Sequence, residues 1–311
     1  MEFFYIILGL IFLIAGGNWL LKAAVGLSLK LNVPKIVIGM TVVSFATSVP
    51  ELIVSVKSAL DGFPDLALGN IVGSNIANLA LVLGITIVLS KIDVQKSFYK
   101  TDWPIMMIAS GLLFYFLYDD AMIDFYEGAI MFSFLIIFLI YLLRFQKQAV
   151  VDEAPEDDEL LPLYKIALFF TIGGIGLWAG SEFLIKGAVD LAKDFGVSER
   201  VIGVTVVSVG TSIPELAASI IAVIKKEKAI SLGNLIGSNI FNILAVLGIT
   251  AMITPIQLKD LELLDYDIYW MLGISFLILP LVFFPRKLRL DWKDGFILLV
   301  LYAIFIFTTI S

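Results

Sequence analysis

The sequence contains no cysteine and no histidine among its 311 residues. The first absence excludes disulfide bonds and thiolate metal sites. The second excludes histidine-ligated metals, HExxH zinc proteases and Ser–His catalytic pairs. Charged residues are also scarce, at 16%, and the formal net charge of −7 disfavours nucleic acid as a partner. We therefore expect neither an enzyme of these classes nor a nucleic-acid-binding protein.

Apolar residues are abundant instead and make up 60% of the chain. Long runs without any charge occur at 3–15, 129–143 and 296–310. A water-soluble core cannot accommodate so many apolar side chains, whereas a bilayer accepts them as helices of about 20 residues. The composition predicts an all-α polytopic membrane protein whose surroundings are the lipid bilayer.

The sequence contains an internal repeat. Residues 33–94 align with 197–258 without a gap, and 28 of the 62 positions are identical. VIGMTVVSFATSVPEL corresponds to VIGVTVVSVGTSIPEL, and LGNIVGSNIANLALVLGIT corresponds to LGNLIGSNIFNILAVLGIT. Such internal symmetry is typical of secondary transporters built from two structural repeats.

Hydropathy divides each half of the chain into five apolar segments of spanning length. An odd number per half makes the second copy enter the membrane from the opposite side, which defines an inverted repeat. We predict a first repeat over 1–149, an acidic cytoplasmic linker over 150–162 that serves as a solvated connector, and a second repeat over 163–311. The ten predicted spans lie near 3–25, 36–57, 66–90, 103–118, 125–144, 163–186, 201–224, 230–253, 267–284 and 295–310.

The basic residues predict the orientation of these spans. With the N-terminus outside, 16 of the 21 Lys and Arg residues fall at the inner ends of the helices and 5 at the outer ends. Cytoplasmic loops carry an excess of basic residues, so both termini are predicted to lie outside. Equivalent loops of the two copies also carry opposite charge, as inversion requires.

Two glutamates, Glu51 and Glu215, lie midway along predicted spans. An ionised carboxylate at that depth costs several kcal/mol unless something compensates it, and the same central stretches contain no Lys or Arg. Protonation, a bound cation, or both in alternation remain as compensation. Glu127, Glu182 and Asp190 lack comparable neighbours, and we expect them to be interfacial or hydrogen-bonded.

The neighbours of Glu51 and Glu215 favour a cation. Pro50 and Pro214 interrupt the helix and free backbone carbonyls around Ser44 and Ser208. Carboxylate, carbonyl, hydroxyl and amide oxygens are the ligands that Ca²⁺ and Na⁺ take. The hydroxyls beside the break, the polar residues of the GN-x-x-GSN-x-x-N motif and the GxxxG glycines are Thr47, Ser48, Thr211, Ser212, then Ser74, Asn75, Asn78, Ser238, Asn239, Asn242, then Gly69, Gly73, Gly233 and Gly237.

Each of these features has an ordinary structural explanation when it is taken alone. A Ser or Asn in a membrane helix commonly makes an interhelical hydrogen bond, GxxxG is a packing motif, and a proline commonly marks a kink. Two Pro-Glu pairs, each preceded by Thr-Ser and each followed at the same distance by GN-x-x-GSN, favour a functional site. The twofold relation predicts that both glutamates and both polar faces converge at one central site.

With both motifs in view, the sequence resembles the calcium/cation antiporter superfamily, in particular the prokaryotic sodium/calcium exchangers and their YrbG-like relatives. GTSIPEL with GNLIGSNIFN, and ATSVPEL with GNIVGSNIAN, look like the two repeats of that superfamily. The resemblance implies ten helices in two inverted halves, with broken second, third, seventh and eighth helices around the ion sites. It also implies sliding first and sixth helices and the plasma membrane of a prokaryote.

The resemblance further implies that Glu51 and Glu215 are shared carboxylate ligands of Ca²⁺ and Na⁺. It places the remaining ligands at Thr47, Ser48, Thr211, Ser212, the carbonyls of Ser44 and Ser208, and Ser74, Ser238, Asn78 and Asn242 in the middle of the site. Two departures stand out. Ala46 replaces a glycine, and Asn242 occupies a position that is Asp in some exchangers, which argues against K⁺ co-transport.

We therefore predict a secondary transporter, and not an enzyme, that exchanges Na⁺ for Ca²⁺ by alternating access. It needs no cofactor and no obligate protein partner. A H⁺/Ca²⁺ or other divalent-cation exchanger that uses the same carboxylates stays open, because a buried carboxylate also takes up protons. The inverted repeat disfavours a cation channel, and the lack of a nucleophile with a partner base disfavours an intramembrane hydrolase.

Overall fold

A computed structural model of the chain describes residues 2–145, 161–194, 208–285 and 287–310. Most of the predicted linker 150–162 lies outside these residues, as does 197–207 at the start of the second motif copy.

Helices dominate the described residues. In chain order they are α1 Glu2–Leu31, α2 Lys35–Thr47, α3 Val49–Leu60, α4 Pro64–Leu89, α5 Trp103–Asp120, α6 Phe125–Phe145, α7 Leu163–Asp194, α8 Ile213–Ile224, α9 Lys228–Ile253, α10 Leu263–Phe283 and α11 Trp292–Ile310, with one short turn at Ser208–Gly210. π-Helical segments occur within α2 at Gly39–Val43, within α4 at Ala77–Val82 and within α9 at Asn242–Leu247, and two more, Phe98–Asp102 and Leu263–Asp267, lie before α5 and at the start of α10. Four two-residue strands complete the secondary structure: β1 Ile92–Asp93, β2 Met122–Ile123, β3 Ile256–Gln257 and β4 Arg289–Leu290.

Seven of the described helices are long and apolar enough to cross a membrane, and α2 with α3 makes an eighth candidate if the bent pair is one span. The chain is accordingly a multi-pass integral membrane protein. α4 and α9 are the most enclosed of the seven, with 78% and 83% of their apolar windows buried, against 28–33% for the others. These two helices carry the GN-x-x-GSN-x-x-N motifs. The count of ten spans and the outward termini stay predictions.

The chain forms two compact units, and each takes segments from both halves of the sequence. Unit 1 comprises Met1–Thr47, Leu142–Asn234 and Ala303–Ser311, and unit 2 comprises Ser48–Tyr141 and Leu235–Tyr302. The boundaries predicted from the sequence, 1–149 and 163–311, describe the duplication along the chain and stay a prediction.

In unit 1, α1 and α7 cross at glycines in an antiparallel arrangement. A Cβ atom on Gly16 would lie 2.7 Å from the backbone nitrogen of Leu177, and one on Gly173 would lie 2.6 Å from that of Leu20. Lys186 lies 4.3 Å from the centre of the Tyr5 ring, in cation–π contact across the same pair of helices. Only glycine permits backbones to approach this closely, so the sequence of these helices fixes their crossing.

A second close crossing in unit 1 joins α2 to the start of α9. A Cβ on Gly39 would lie 2.5 Å from the carbonyl oxygen of Ile230, and one on Gly233 would meet the carbonyl oxygen of Ile36. At the same end, Lys35 Nζ donates to Glu227 Oε1 at 2.9 Å, with both side chains mostly buried. The crossing fixes the position of the polar residues that follow Gly39 on α2.

Unit 2 contains two equivalent sets of strand contacts. β1 pairs with β4 and β2 pairs with β3, both antiparallel, so each small sheet joins one strand of each half. The backbone N–H of Val94 donates to the Leu288 carbonyl at 2.8 Å, and that of Leu258 donates to the Ala121 carbonyl at 2.7 Å. Ala121 and Leu288 both have left-handed backbones, with φ of 56° and 57°. These matched contacts are what two structurally equivalent repeats produce.

Glu127 is hydrogen-bonded at the N-terminus of α6. The backbone N–H of Glu127 donates to Asp124 Oδ1 at 2.8 Å, while Glu127 Oε2 accepts from the backbone N–H of Asp124 at 3.0 Å. This reciprocal pair is a capping box. The expectation that Glu127 is hydrogen-bonded is therefore confirmed.

Candidate cation site

Both motif copies interrupt their helices at equivalent serines. Ser48 has φ −87° and ψ 2° between α2 and α3, and these helices bend by 45°. Ser212 has φ −88° and ψ 3° immediately before α8. Pro50 and Pro214 lie in the first turn of the following helix, where a missing N–H leaves no intrahelical bond unmade. The predicted break is therefore present in both copies.

Each break places a glutamate at a helix N-terminus. Glu51 lies in the first turn of α3 and Glu215 in the first turn of α8, and both side chains are 0% exposed. The helix dipole and the N–H groups of the first turn favour negative charge at that end. The same local geometry thus supports a buried carboxylate in each copy.

The serines at the breaks do not cap their helices. Ser48-x-x-Glu51 and Ser212-x-x-Glu215 match the capping-box pattern, yet neither serine makes a side-chain capping bond. Both hydroxyls are buried, at 4% and 1% exposure, and neither Oγ has a hydrogen-bond partner among the described residues. Capping does not account for these hydroxyls, which leaves them available to a ligand.

The asparagines of the second motif show the same property. Asn78 and Asn242 are 0% exposed, and each uses its amide nitrogen in a hydrogen bond, to Asn239 Oδ1 at 3.2 Å and to Asn75 Oδ1 at 3.1 Å. Their Oδ1 atoms have no partner within the part of the chain that the structure describes. Two hydroxyl and two amide oxygens, in equivalent pairs, are therefore buried without a hydrogen-bond partner.

Other predicted ligands do make hydrogen bonds. Ser44 Oγ lies 2.9 Å from the carbonyl oxygens of both Gly39 and Asn234. Thr47 Oγ1 lies 3.2 Å from Asn234 Oδ1 and 3.4 Å from the Ser44 carbonyl oxygen. The two bonds to Asn234 connect α2 to α9 within unit 1, as ordinary interhelical hydrogen bonds would, and the other two lie within α2. Ser74 and Ser238 are buried, Thr211 is half-buried, and the side chain of Ser208 lies outside the described part.

Sequence reasoning missed one repeated pair. Asn70 Nδ2 donates to Ser55 Oγ at 3.1 Å in unit 2, and Asn234 Nδ2 approaches Ser219 Oγ at 3.4 Å in unit 1. The identity of Ser55 with Ser219 and of Asn70 with Asn234 in the repeat alignment was the available signal. The first pair joins α3 to α4, and the second joins α8 to α9. In each copy the helix whose first turn contains the glutamate is thus bonded to the helix that carries the second motif.

The predicted ligands are divided between the two units. Unit 2 contains Ser48, Glu51, Ser74, Asn78, Ser238 and Asn242, and unit 1 contains Ser44, Thr47, Ser208, Thr211, Ser212 and Glu215. Each unit thus carries one glutamate and one break serine. The convergence of both glutamates at a single site stays a prediction.

The donor set suits a hard cation. No group of three or more acidic or histidine side chains gathers anywhere in the described ranges, so these ranges hold no carboxylate cage. The candidate ligands are single carboxylates accompanied by neutral hydroxyl and amide oxygens. Ca²⁺ and Na⁺ accept such mixed oxygen ligands, whereas zinc and copper prefer nitrogen or sulfur.

Comparison with known proteins agrees with this chemistry. The family described as sodium/calcium exchanger protein matches residues 1–144 and 165–311. The protein CaxA of Alkalimonas amylolytica is 36% identical, with 96% of this chain and 95% of CaxA covered. The inner membrane protein YrbG of Escherichia coli (strain K12) is 33% identical, with 88% and 87% covered.

A solved structure is also similar. The sodium-calcium exchanger NCX_Mj, soaked with zero Na⁺ and Ca²⁺, matches with a TM-score of 0.82, 26% sequence identity and 97% of each chain covered. The predicted resemblance is confirmed by these matches. Since the family match includes both glutamate motifs and nearly the whole sequence, the chain belongs to the sodium/calcium exchanger family and is a cation antiporter, not an enzyme.

Proposed function

We propose that the chain exchanges Na⁺ for Ca²⁺ across the plasma membrane of a prokaryote by alternating access. Glu51 and Glu215 supply the carboxylate ligands in this proposal. Ten spans with both termini outside form the transport pathway, and the acidic linker lies in the cytoplasm. The transported ions are the only ligands, and the protein needs no cofactor and no partner protein.

The observation that carries the proposal is that four of the buried oxygens without hydrogen-bond partners among the described residues lie at equivalent positions of the two motif copies: Ser48 Oγ, Ser212 Oγ, Asn78 Oδ1 and Asn242 Oδ1. A buried polar atom that lacks a hydrogen bond costs about 1–3 kcal/mol. In this proposal a bound cation gives each of these oxygens a partner and also balances the charges of Glu51 and Glu215. The repetition of both features in each copy supports one binding function over four separate packing defects.

The remaining predicted ligands take supporting places in the proposal. The carbonyls of Ser44 and Ser208 and the hydroxyls of Thr47 and Thr211 serve Ca²⁺ and flanking Na⁺ ions, and Ser74 and Ser238 line the middle. Hydrogen bonds within unit 1 already hold Ser44 and Thr47 in place. Preformed geometry of this kind lowers the cost of binding an ion.

Electrostatics gives the proposed site its coupling. Two carboxylates carry about two negative charges, which one Ca²⁺ or a set of Na⁺ ions neutralises. Loss of the ion removes the positive charge that balances these carboxylates in a low-dielectric interior. We therefore propose that the empty protein changes its access side slowly, so that one ion leaves only in exchange for another. Exchange of several Na⁺ per Ca²⁺ makes the cycle electrogenic.

One observation favours a second candidate, an exchanger of H⁺ for Ca²⁺. Both glutamates are fully buried, and burial disfavours the charged form of a carboxylate. A proton could then occupy each carboxylate when Ca²⁺ leaves. Both candidates use the same residues and differ only in the driving ion.

The two candidates separate in proteoliposomes loaded with Na⁺ and given radioactive Ca²⁺ outside. We expect Ca²⁺ uptake to require internal Na⁺. Because exchange of several Na⁺ for one Ca²⁺ carries net positive charge out of the vesicle, an inside-positive membrane potential should stimulate uptake. An imposed pH gradient without Na⁺ serves as the matched control. Uptake driven by the pH gradient alone would replace Na⁺ by H⁺ in the proposal.

The proposed topology gives a second test, which the absence of cysteine makes simple. Lys96 and Asp119 are exposed; Lys96 precedes α5 and Asp119 lies in its last turn, at the opposite end. We expect a membrane-impermeant maleimide to label Asp119→Cys in intact cells and Lys96→Cys only after lysis. The cysteine-free protein is the blank, and labelling of both positions from the same side would contradict the proposed span count around α5.

A further inference from the structure

The amide orientations of four asparagines are fixed by one another. These residues, the asparagine quartet, are Asn75 and Asn78 on α4 and Asn239 and Asn242 on α9, all in unit 2. Each has at most 1% of its surface exposed. Two of them, Asn78 and Asn242, belong to the proposed ligand set, whereas Asn75 and Asn239 do not.

The first step concerns Asn75 and Asn239. Asn239 Nδ2 donates to the backbone carbonyl of Asn75 at 3.1 Å, and Asn75 Nδ2 donates to the backbone carbonyl of Asn239 at 3.3 Å. A carbonyl oxygen can only accept a hydrogen bond. The nitrogen of each amide must therefore face the opposite backbone, and each Oδ1 must face the other way.

The second step concerns Asn78 and Asn242. Asn239 Oδ1 can only accept, so Asn78 must turn its Nδ2 toward it, and Asn75 Oδ1 imposes the same orientation on Asn242. Once each nitrogen is used in this way, Oδ1 is the atom left without a partner in the described part of the chain. The reverse orientation would bring two acceptor oxygens to about 3 Å with no proton between them.

We propose that Asn75 and Asn239 are positioning residues that turn the amide oxygens of Asn242 and Asn78 toward the transported cation. The inference rests on the proposed function, because it assigns those oxygens to a Ca²⁺ ligand set. Residues that orient a ligand without touching the ion commonly change metal affinity about 10–100-fold when they are replaced. Asn75 and Asn239 thus set the orientation of the ligand amides and add no charge to the site.

A pair of substitutions tests this orientation through the sign of their coupling. Asn239→Leu, which is similar in size, removes the acceptor that holds the Asn78 amide, and we expect it to raise the Ca²⁺ dissociation constant about tenfold or more. Asn78→Asp alone sets a carboxylate oxygen against Asn239 Oδ1 and also weakens binding. In the double variant the carboxylate needs no orientation and meets no opposing oxygen, so Ca²⁺ affinity should exceed that of either single variant.

The other asparagine pair supplies both a control and a repeat of this test. Asn75→Leu combined with Asn78→Asp should show no rescue, because the Asn75 side-chain oxygen faces Asn242 and not Asn78. Asn75→Leu combined with Asn242→Asp repeats the rescue in the other copy and decides the question if Asn239→Leu does not fold. Binding of radioactive Ca²⁺ to the purified full-length protein is the measurement, with thermal unfolding as the folding check.

The outcomes separate the two proposals. Rescue in the matched pairs and its absence in the crossed pair would support positioning. Wild-type binding with simple additive losses in every pair would overturn positioning and leave the proposed function intact. Absence of Ca²⁺ binding by the wild-type protein would overturn the proposed function, and with it the positioning role.

Discussion

Glu51→Gln and Glu215→Gln are each expected to abolish Na⁺-dependent Ca²⁺ uptake. Both side chains are completely buried at the first turn of a helix, and glutamine keeps their size while removing the charge. Removal of one partner from a buried, charge-balanced arrangement costs about 3–5 kcal/mol, which corresponds to binding weaker by about 150-fold to several thousandfold. Ca²⁺ uptake into Na⁺-loaded proteoliposomes measures the effect.

Glu182→Gln is the matched control for these variants. Glu182 undergoes the same chemical change, but its side chain is exposed on α7, and Asn18 occupies the corresponding position of the first copy. We expect this variant to retain transport. Equal losses in all three variants would point to a general effect of charge on the protein, whereas normal transport by either buried-site variant would remove that glutamate from the ligand set.

The second large effect concerns the crossing of α2 and α9. Alanine at Gly39 or Gly233 would press a methyl group into a backbone carbonyl of the facing helix, which cannot move aside as a side chain can. Overpacking of this kind costs about 1–3 kcal/mol and sometimes more. We expect a clear fall in the unfolding temperature of both variants in detergent, together with weakened transport because α2 positions Ser44 and Thr47.

Gly111 and Gly273 provide controls for the same substitution. Both lie within helices, α5 and α10, and a Cβ atom at either position meets no other atom within 4 Å. Alanine there should leave the unfolding temperature unchanged or raise it, because alanine favours the helix over glycine by up to about 1 kcal/mol. Equal destabilisation at all four positions would show that close helix approach is not the cause.

Much of the candidate site could be predicted because the sequence states it twice. The repeated Thr-Ser-x-Pro-Glu pattern predicted a helix break, and the structure places it at Ser48 and Ser212 with nearly identical dihedral angles. Proline chemistry alone gives that location, since a proline is best tolerated in the first turn of a helix. The buried carboxylates followed from the same local pattern.

Other features depend on contacts between distant parts of the chain and could not be predicted from local pattern. The two-residue strands β1 to β4 lie in connections whose pairing requires both repeats to be folded. The amide orientation of Asn78 is likewise fixed by Asn239, on another helix. Sequence spacing placed these asparagines on a helix face, but it carried no information on which atom each amide would use.

The hydroxyls of Ser44, in α2, and Ser48, directly after α2, show where residue type alone is ambiguous. Ser44 and Ser48 are both buried serines that shortly precede Glu51 in the sequence, yet Ser44 bonds to backbone carbonyls within unit 1, whereas Ser48 Oγ has no partner among the described residues. The difference arises because Ser44 lies in a continuous helical turn and Ser48 lies at the break. Only the backbone geometry distinguishes a serine hydroxyl that makes an interhelical hydrogen bond from one that is available to bind an ion.

Competition between ions for the purified protein tests the central claim most directly. Radioactive Ca²⁺ binding would be measured at equilibrium in detergent while the Na⁺ concentration is raised, for the wild type, Glu51→Gln, Glu215→Gln and Glu182→Gln. We predict saturable Ca²⁺ binding that Na⁺ displaces, that both buried-glutamate variants lose, and that Glu182→Gln keeps. Ca²⁺ binding that is indifferent to Na⁺, or that survives in both buried-glutamate variants, would contradict a shared Na⁺ and Ca²⁺ site at these carboxylates.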